Sequence, residues 1–338
     1  MLEWLKRHVW KACDRPKRFQ GSNPCLSAPT DAAPRRCGIL VKETMPRISV
    51  IVPAYNVEAY IPRCLQSLQA QTFGDWEAVV VDDGSSDRTP EILDGFAAKD
   101  ARIRIIHQPN AGVSAARNRA LEAIRGEYCL IIDGDDFLHP QLMEICLHFA
   151  EKDHSDLVAF TYDRTYRKGL MALHSLGRPE PETVSFKQYR IDGIKSRTTD
   201  NIYGWVSEYA MLGKLRQKGR WTIKHCQPWR CLYRTDRIRD IRFPDCRVYE
   251  DLPWWGDVLL RVRKATVLNL PLYFYYPNYR GAILSSGQEI RVESLRRAIQ
   301  LSEASYANAA PHQRRIWERE FLSSFRKKLR QKECQLAR

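Results

Sequence analysis

The sequence predicts an α/β fold in which helices cover both faces of a mostly parallel β-sheet. The first observation is a series of continuous apolar runs of strand length, beginning with "ISVIV" at residues 48–52. The second is that a segment with helical spacing of its apolar residues follows each of these runs. Alternation of this kind is typical of parallel sheets, because parallel neighbours need a crossover connection.

The predicted elements follow one another at short intervals. Strands are expected at "ISVIV", "WEAVVVDD", "RIRII", "YCLIID" and "DLVAF", which are residues 48–52, 76–83, 102–106, 128–133 and 156–160. Helices are expected over residues 59–71, 90–99, 113–126 and 139–152. In the first of them, Pro62 is tolerable only in the first turn. In the second, Thr89 is the expected N-cap and Pro90 the first helical residue.

Polar residues gather where each of the first four strands ends. The loops are "PAYN", "DDGSSDRT", "HQPNAGVS" and "DGDD", at residues 53–56, 82–89, 107–114 and 133–136. Right-handed crossovers bring the carboxyl ends of these strands to one edge of the sheet. Ligands of open α/β sheets bind at that edge, so the sequence predicts an active or binding cleft there.

Three carboxylates, those of Asp133, Asp135 and Asp136, stand together after the fourth strand. A like-charged pair about 4 Å apart costs roughly 4 kcal/mol at an effective dielectric of about 20. We therefore expect a cation there, or a carboxyl group that keeps its proton. Such clusters suit Mg²⁺ or Mn²⁺ shared with a substrate diphosphate. The alternative interpretation is a turn that caps the next helix.

Composition and charge narrow the class of protein. The 338 residues have room for one large domain or two smaller ones. The chain has no apolar stretch of about 18 residues, and its first 20 residues are too charged for a secretory signal, so we expect a cytoplasmic location. The net charge of +14 is typical of proteins with a nucleic acid, an anionic membrane surface or an anionic substrate as partner, and the alternative interpretation is solubility with basic tails. Neither a GxxxxGK[ST] loop nor a GxGxxG turn is present, which disfavours P-loop hydrolysis and dinucleotide binding.

Four regions are expected along the chain, and they are residues 1–44, 45–150, 151–280 and 281–338. The first is basic, rich in small residues and Pro towards its end, and is expected to be a disordered extension. The second contains the four polar loops. The fourth is basic and helical, with Trp317, Phe321 and Leu322 at helical spacing. Such a helix can lie on an anionic bilayer or pack its apolar stripe on its own domain.

Five motifs together resemble a known family. "ISVIVPAYN", "VVVDDGSSDRT", "NAGVSAARN" and "IIDGDDFLHP" stand in the order and spacing of family 2 glycosyltransferases, and "VYEDLPWW" resembles the acceptor-side segment of that family. The resemblance covers roughly residues 47–280. It implies the GT-A fold, a Rossmann-like and mostly parallel sheet, here with a C-terminal helical extension. It also implies transfer of a sugar, with inversion, from a nucleotide diphosphate to an acceptor hydroxyl.

The resemblance implies a donor site in residues 45–150. Its expected residues are Pro53, Tyr55, Asp82, Asp83, Asn110, Gly112, Arg117 and Asp133. Tyr55 resembles the aromatic residue that flanks the nucleobase, and Asp83 the carboxylate that accepts a hydrogen bond from base or ribose, which favours a UDP-sugar. Asp133 and Asp135 match the DxD pair that binds Mg²⁺ or Mn²⁺. Asp135 is the expected direct ligand, and Asp136 is expected to support it.

The resemblance implies an acceptor site in residues 151–280. Asp251 resembles the catalytic base, which removes the proton of an otherwise poor hydroxyl nucleophile. Glu250 is expected to orient the acceptor. The alternative for this pair is an acid-rich helix N-terminus. Trp254, three residues after Asp251, is the candidate for stacking on a sugar ring, although large aromatics are also common core residues.

The implied partners are a nucleotide diphosphate sugar and a glycan or glycolipid acceptor. The family tendency is lipopolysaccharide, capsule or exopolysaccharide synthesis, with peripheral contact at the inner face of the cytoplasmic membrane. A nucleic-acid-binding protein would explain the charge but not carboxylates along the sheet edge, so no nucleic acid is expected. A nucleotidyltransferase would need a basic loop near the first strand, and "PAYNVEAY" has none. An inactive sugar-nucleotide scaffold is disfavoured by the intact Asp133, Asp135 and Asp251.

Overall fold

A nine-stranded mixed sheet forms the centre of the chain in a computed structural model, which describes residues 45–163, 186–203, 227–276, 278 and 286–336. The strands are β1 (Ile48–Ala54), β2 (Trp76–Asp82), β3 (Ile103–His107), β4 (Tyr128–Ile131), β5 (Phe137–Leu138), β6 (Leu157–Asp163), β7 (Ser196–Thr199), β8 (Cys231–Arg234) and β9 (Ala265–Phe274). Their order is β3-β2-β1-β4-β8-β6-β9-β5, and β7 pairs with β9. The predicted extension of residues 1–44 lies outside the described residues.

The direction of the strands explains why the polar loops meet. Strands β1 to β4 are mutually parallel, and β6 and β9 run in the same direction, whereas β5, β7 and β8 run in the opposite one. The prediction of a mostly parallel sheet is therefore confirmed. Because β4 pairs with β8, the sheet continues from residues 45–150 into residues 151–280. The boundary proposed between those regions stays a prediction.

Helices cover both faces of the sheet. They are α1 (Ile61–Gln69), α2 (Thr89–Ala97), α3 (Val113–Ala123), α4 (Leu142–Asp153), α5 (Thr235–Ile238), α6 (Asp251–Arg261), α7 (Gln288–Tyr306), α8 (Pro311–Trp317) and α9 (Ser323–Leu336). Alternate residues of β1 enter different cores. Val50 and Val52 pack with residues of α1, α2 and α4, and Ile51 packs with residues of α3, α6 and α7. This alternation is the period of two that a strand buried on both faces requires.

The starts of the first two helices test the positions predicted for Pro62 and Thr89. Helix α1 carries Pro62 in its first turn, as predicted. The prediction that Thr89 is an N-cap is wrong, because α2 begins at Thr89 itself. The Thr89 hydroxyl instead accepts a hydrogen bond of 2.9 Å from the backbone N–H of Val57, and Asp87 accepts one from the Thr89 N–H. The threonine therefore ties the loop after β1 to α2.

The C-terminal region packs its apolar residues on the domain. Trp317, Phe321 and Leu322 are buried in the core that also contains α6. The Trp317 ring stacks on Tyr306 with centroids 4.7 Å apart and planes at 3°. Of the two alternatives stated for this region, the structure supports internal packing of the apolar stripe. No helix in the described part of the chain combines the length and apolar character that crossing a bilayer requires.

Replacing Gly256 by Ala is expected to lower the free energy of unfolding by about 1–3 kcal/mol, a typical cost of overpacking. The added methyl would lie 3.0 Å from Trp317 and 3.1 Å from Tyr306, two stacked rings in the core. Gly95→Ala in α2 is the control, since a methyl there meets nothing within 4 Å and Ala suits a helix interior better than Gly. Denaturant unfolding measures both variants. A Gly256→Ala protein as stable as the parent would contradict the close packing of α6 on the C-terminal helices.

Candidate active site

Asp83 forms the first part of the site, directly after β2. Its carboxylate accepts hydrogen bonds from the Gln108 side chain at 2.7 Å and from the backbone N–H groups of Ala111 and Gly112 at 2.9 and 2.8 Å. The Asn110 side chain donates to the Asp83 carbonyl at 3.0 Å. Gly112 has φ +90°, a conformation that L side chains rarely adopt. The structure thus brings together Asp83, Asn110 and Gly112, as the sequence predicts.

Asp82 and Asp83 point to different partners, as neighbouring residues at a strand end do. Asp82 accepts a hydrogen bond from the Ser85 N–H and pairs with His107 at 2.9 Å, across β2 and β3. The hydrogen bond with Asp82 raises the pKa of His107. The structure therefore gives Asp82 a part in holding the loop after β2, and its contact with a donor stays a prediction.

The end of β1 borders the same edge. Pro53 is buried in β1, and its carbonyl oxygen lies 3.1 Å from where a Cβ on Gly134 would be. This short distance shows that the turn containing Asp133 and Asp135 lies directly against β1. A larger residue at position 134 would press on the Pro53 carbonyl. Tyr55 is 50% exposed, which leaves its ring accessible.

The three carboxylates after β4 have separate environments. Asp133 is partly exposed and accepts a hydrogen bond of 2.8 Å from Arg117. Burial, and then the negative charge of Asp133, raise the pKa of Asp135 to about 6. The Asn278 side chain opposes this effect by hydrogen bonding to Asp135, a contact that the sequence gave no reason to expect.

Asp136 is directed into the protein, which corrects its predicted role beside the metal. The residue is fully buried, and its carboxylate accepts hydrogen bonds from the Tyr273 hydroxyl and from the backbone N–H of Tyr276 at 2.7 Å. Burial, together with the charges of Asp135 and Asp133, raises the pKa of Asp136 well above its ordinary value. The sequence required either a cation or a carboxyl group that keeps its proton. The structure provides a cation, the Arg117 guanidinium beside Asp133, and it directs Asp136 away into the core.

Arg117 joins the two predicted halves of the site. One guanidinium nitrogen donates to Asp133 at 2.8 Å and another donates to Glu250 at 2.5 Å. The side chain is only 5% exposed. Burial alone would lower the pKa of Arg117, but the charges of Asp133 and Glu250 raise it, so the guanidinium stays charged. The sequence places 133 positions between Arg117 and Glu250, and the fold closes that distance.

Asp251 follows Glu250 as the first residue of α6 and is partly buried. Burial, and then the charge of Glu250, raise the pKa of Asp251 to about 7, while Arg117 lowers it in part. A carboxylate with a pKa near neutrality suits a general base, because it is then ionised and still able to hold a proton. Asp133 and Glu250 bind one guanidinium, and Asp251 follows Glu250 in the chain and responds to the charges of both Glu250 and Arg117, while its part in the site stays a prediction.

The prediction that Trp254 stacks on a sugar is wrong. Its side chain is 0% exposed, and its ring stacks on Phe243 with centroids 4.5 Å apart. Phe243 also lies under Arg117, with the guanidinium carbon 5.1 Å from the ring centroid. The Asn118 side chain holds the Phe243 backbone through two hydrogen bonds of 2.8 Å, donating one to the Phe243 carbonyl and accepting one from the Phe243 N–H. Trp254 therefore supports Arg117 from the core, and Phe243 and Asn118 are site residues that the sequence analysis missed.

The residues present fit a divalent cation. Among the described residues, no group of three or more His, Cys, Asp or Glu side chains forms a metal-binding set. Mg²⁺ commonly takes only one or two protein carboxylates and completes its shell with substrate phosphates and water. Asp133 and Asp135 supply two carboxylates, and after burial the negative charge of Asp133 is a cause of the raised pKa of Asp135, a repulsion that a cation would reduce.

The fold is that of known GT-A proteins. The TarS protein of S. aureus (residues 1–349), solved in complex with UDP-GlcNAc, superposes with a TM-score of 0.59 at 23% sequence identity. The match covers 82% of this chain and 71% of that structure. The sheet, its covering helices and the edge described above thus define a GT-A domain.

Sequence comparison gives the family. The family model for glycosyl transferase family 2 matches residues 49–236, and the chain belongs to this family. The glycosyltransferase GlyA of Streptococcus pneumoniae is 32% identical over 230 residues, which is 68% of this chain and 30% of GlyA. The uncharacterized glycosyltransferase EpsJ of Bacillus subtilis is 45% identical over 114 residues, or 34% of this chain and 33% of EpsJ. The chondroitin synthase of Escherichia coli is 42% identical over 120 residues, or 36% of this chain and 18% of the synthase. The chain spans about a third or less of the length of these relatives.

Proposed function

We propose that the chain transfers a sugar, with inversion at the anomeric carbon, from a nucleotide diphosphate donor to a hydroxyl of a glycan or glycolipid. The observation that carries the proposal is the Arg117 guanidinium, which binds Asp133 on the donor side and Glu250 on the acceptor side. Inversion needs a base on the face of the sugar opposite the leaving diphosphate. The Arg117 bridge supports such an arrangement, because it links Asp133 to Glu250, the residue that directly precedes Asp251.

In the proposed step, the acceptor oxygen forms a bond to the anomeric carbon as the bond from that carbon to the diphosphate oxygen breaks. Asp251 takes the proton of the acceptor hydroxyl, and the diphosphate leaves with the bonding electron pair. Glu250, held by Arg117, orients the acceptor. Positioning of this kind lowers the activation barrier, because the reacting groups lose less translational and rotational entropy in the step itself.

A UDP-sugar is the favoured donor. The Asp83 carboxylate is held by Gln108, Ala111 and Gly112, so it is a fixed acceptor for an N–H of a pyrimidine base. The exposed ring of Tyr55 supplies a surface on which a base can stack. The similarity to a structure solved with UDP-GlcNAc is consistent with this choice of nucleotide.

Asp133 and Asp135 would hold Mg²⁺ or Mn²⁺ against the donor diphosphate. When bound, the ion would neutralise the charge that develops on the leaving diphosphate. Arg117 would then orient Asp133, because the guanidinium occupies one of its oxygens and leaves the rest of the carboxylate for the ion. Asp136 would stabilise the turn from inside through Tyr273 and Tyr276.

The acceptor would be a cell-surface glycan or glycolipid, at the inner face of the cytoplasmic membrane. Similarity to a chondroitin synthase supports a polysaccharide as the class of product. Since Trp317, Phe321 and Leu322 are buried, contact with an anionic membrane would rest on the basic side chains of the C-terminal helices.

A thermal-shift panel of nucleotide diphosphate sugars, with and without Mn²⁺, tests the proposal. The true donor should raise the melting temperature by several degrees in the presence of Mn²⁺, because a ligand at 100 times its Kd stabilises by about 2.7 kcal/mol. UDP-glucose, UDP-GlcNAc, UDP-glucuronate and GDP-mannose form the panel, and CTP and UTP represent a nucleotidyltransferase. Asp135→Asn should lose the part of the shift that depends on Mn²⁺. Stabilisation by the triphosphates alone would overturn the proposal.

A further inference from the structure

Tyr249 has an unusual backbone conformation at the entrance to α6. Its φ is +68°, in the left-handed region that bulky L residues seldom adopt. Two other non-glycine residues in the described ranges share this feature, Asn56 and His154, and Asn tolerates it well. A tyrosine needs surrounding contacts to persist in this conformation. The residue stands immediately before Glu250 and Asp251, so its conformation sets the direction in which both leave the turn.

A cation from the far end of the chain lies against the Tyr249 ring. The Lys328 ammonium lies 4.3 Å from the centroid of the Tyr249 ring, which is a cation–π distance. The ring is otherwise buried, with only 7% of the residue exposed. The ammonium also lies 6.0 Å from the Phe325 ring, one turn earlier in α9. Lys328, itself exposed, therefore places its ammonium over the ring of the residue that precedes Glu250.

Helix α9 is a firm support for this contact. Arg326 forms ion pairs with Glu303 of α7, at 2.6 Å, and with Glu318. Further along, Glu333 pairs with Arg296 of α7 at 2.7 Å. Phe325 and Leu329 pack against the core that contains α6. These contacts hold the α9 backbone against α7 and the core, which gives the backbone at Lys328 a defined place relative to the turn.

We infer that Lys328 is a positioning residue, which keeps Tyr249 in its left-handed conformation and so directs Glu250 to Arg117 and Asp251 to the acceptor. This inference rests on the proposed function for its catalytic consequence. Its structural content is independent of that function: loss of the cation should loosen the turn at residues 249–252. The backbone N–H of Leu252 donates to the Tyr249 carbonyl at 3.3 Å, so this amide reports directly on the turn.

The test compares Lys328→Met with Lys328→Arg and Lys327→Met in the full chain. Methionine keeps the length of the side chain and removes the charge, whereas arginine keeps the charge and restores the cation–π contact. Lys327, the neighbouring lysine in α9 and likewise exposed, is the matched control. Hydrogen–deuterium exchange of the Leu252 amide should be at least about threefold faster in Lys328→Met. It should be unchanged in the other two variants, and all three should melt within a degree or two of the parent.

Turnover gives the catalytic readout, measured as release of nucleoside diphosphate from the donor found in the panel, or from UDP-GlcNAc. Lys328→Met should lower kcat on the order of tenfold and leave the KM for the donor unchanged, since a misplacement of 1 Å can cost hundredfold. Lys328→Arg should restore most of the loss. Unchanged exchange at Leu252 in Lys328→Met would overturn the inference. The inference would also be overturned if Lys328→Met had the kcat of the parent while Asp251→Asn was inactive.

The two failures can be told apart. If Asp251→Asn turns over like the parent, the proposed base is wrong, and the exchange measurement alone then decides whether Lys328 holds the turn. If Asp251→Asn is inactive and Lys328→Met behaves like Lys327→Met in both measurements, the positioning role fails while the proposed function stands.

Discussion

Replacing Asp251 by Asn is expected to lower turnover by about 10³-fold or more while leaving donor binding intact. Asparagine has nearly the same shape but cannot take up the proton of the acceptor hydroxyl, and general base catalysis contributes about 10²–10⁴-fold. Asp251 lies at the start of α6, beside the Glu250 that binds Arg117. The residues proposed to bind the donor, which follow β2 and β4, are not altered by the change. Release of nucleoside diphosphate measures turnover, and the thermal shift with donor and Mn²⁺ measures binding.

Asp257→Asn is the matched control for this change. Asp257 lies in the same helix, burial likewise raises its pKa, and it hydrogen bonds to Ser305 on α7. It therefore tests whether loss of any partly buried carboxylate from α6 reduces activity. Turnover in Asp251→Asn within tenfold of the parent would remove this residue from the mechanism. An equal loss in both variants would attribute the effect to the stability of α6.

The pH dependence of kcat/KM in the parent protein is expected to follow the ionisation of Asp251. The raised pKa of Asp251, about 7, means that the carboxylate is about half protonated at neutral pH. Only the ionised form can accept a proton, so kcat/KM should rise as pH increases through about 7 and level off above it. An acid limb near pH 4, the ordinary value of an aspartate, would contradict the effect of burial and of Glu250.

The position of the site could be predicted from sequence because it follows from chain direction alone. Apolar runs followed by helices fix parallel strands, and parallel strands bring the residues after β1 to β4 to one edge. Asp83, Asn110 and Gly112 are connected by hydrogen bonds at that edge, and Asp133 lies there too. The position of Pro62 in the first turn of α1 could likewise be predicted, since proline is tolerated in a helix only at its start.

What could not be predicted depends on contacts between distant parts of the chain. Trp254 has the spacing of a residue on the same helical face as Asp251, but Phe243, from the loop before α6, covers its ring. Asp136 looks like a third metal ligand until Tyr273 and Tyr276, about 140 positions later, take both of its oxygens. Spacing shows which side chains share a face, and it does not show which remote side chain will pack against that face.

Replacing Arg117 by Met is expected to reduce both stability and activity. Removal of one partner from a buried ion pair costs about 3–5 kcal/mol, because the remaining charges lose their compensation. Here two carboxylates, those of Asp133 and Glu250, depend on the same guanidinium. Turnover should fall by at least about 10²-fold, as the donor and acceptor sides lose their common link. The pH at which kcat/KM reaches half its maximum should rise, because Arg117 lowers the pKa of Asp251 in the parent.

Two further variants separate charge from geometry at this position. Arg117→Lys keeps the positive charge, but a single ammonium cannot reach two carboxylates as a planar guanidinium does, so we expect intermediate stability and activity. Arg119→Met, two residues along α3, removes an exposed arginine whose pair with Glu122 spans 3.6 Å, and its cost should be below about 1 kcal/mol. Denaturant unfolding and donor turnover measure all three variants. If Arg117→Met unfolds like Arg119→Met and still turns over donor, Asp133 and Glu250 do not depend on a shared cation, and the observation that carries the proposed function loses its force.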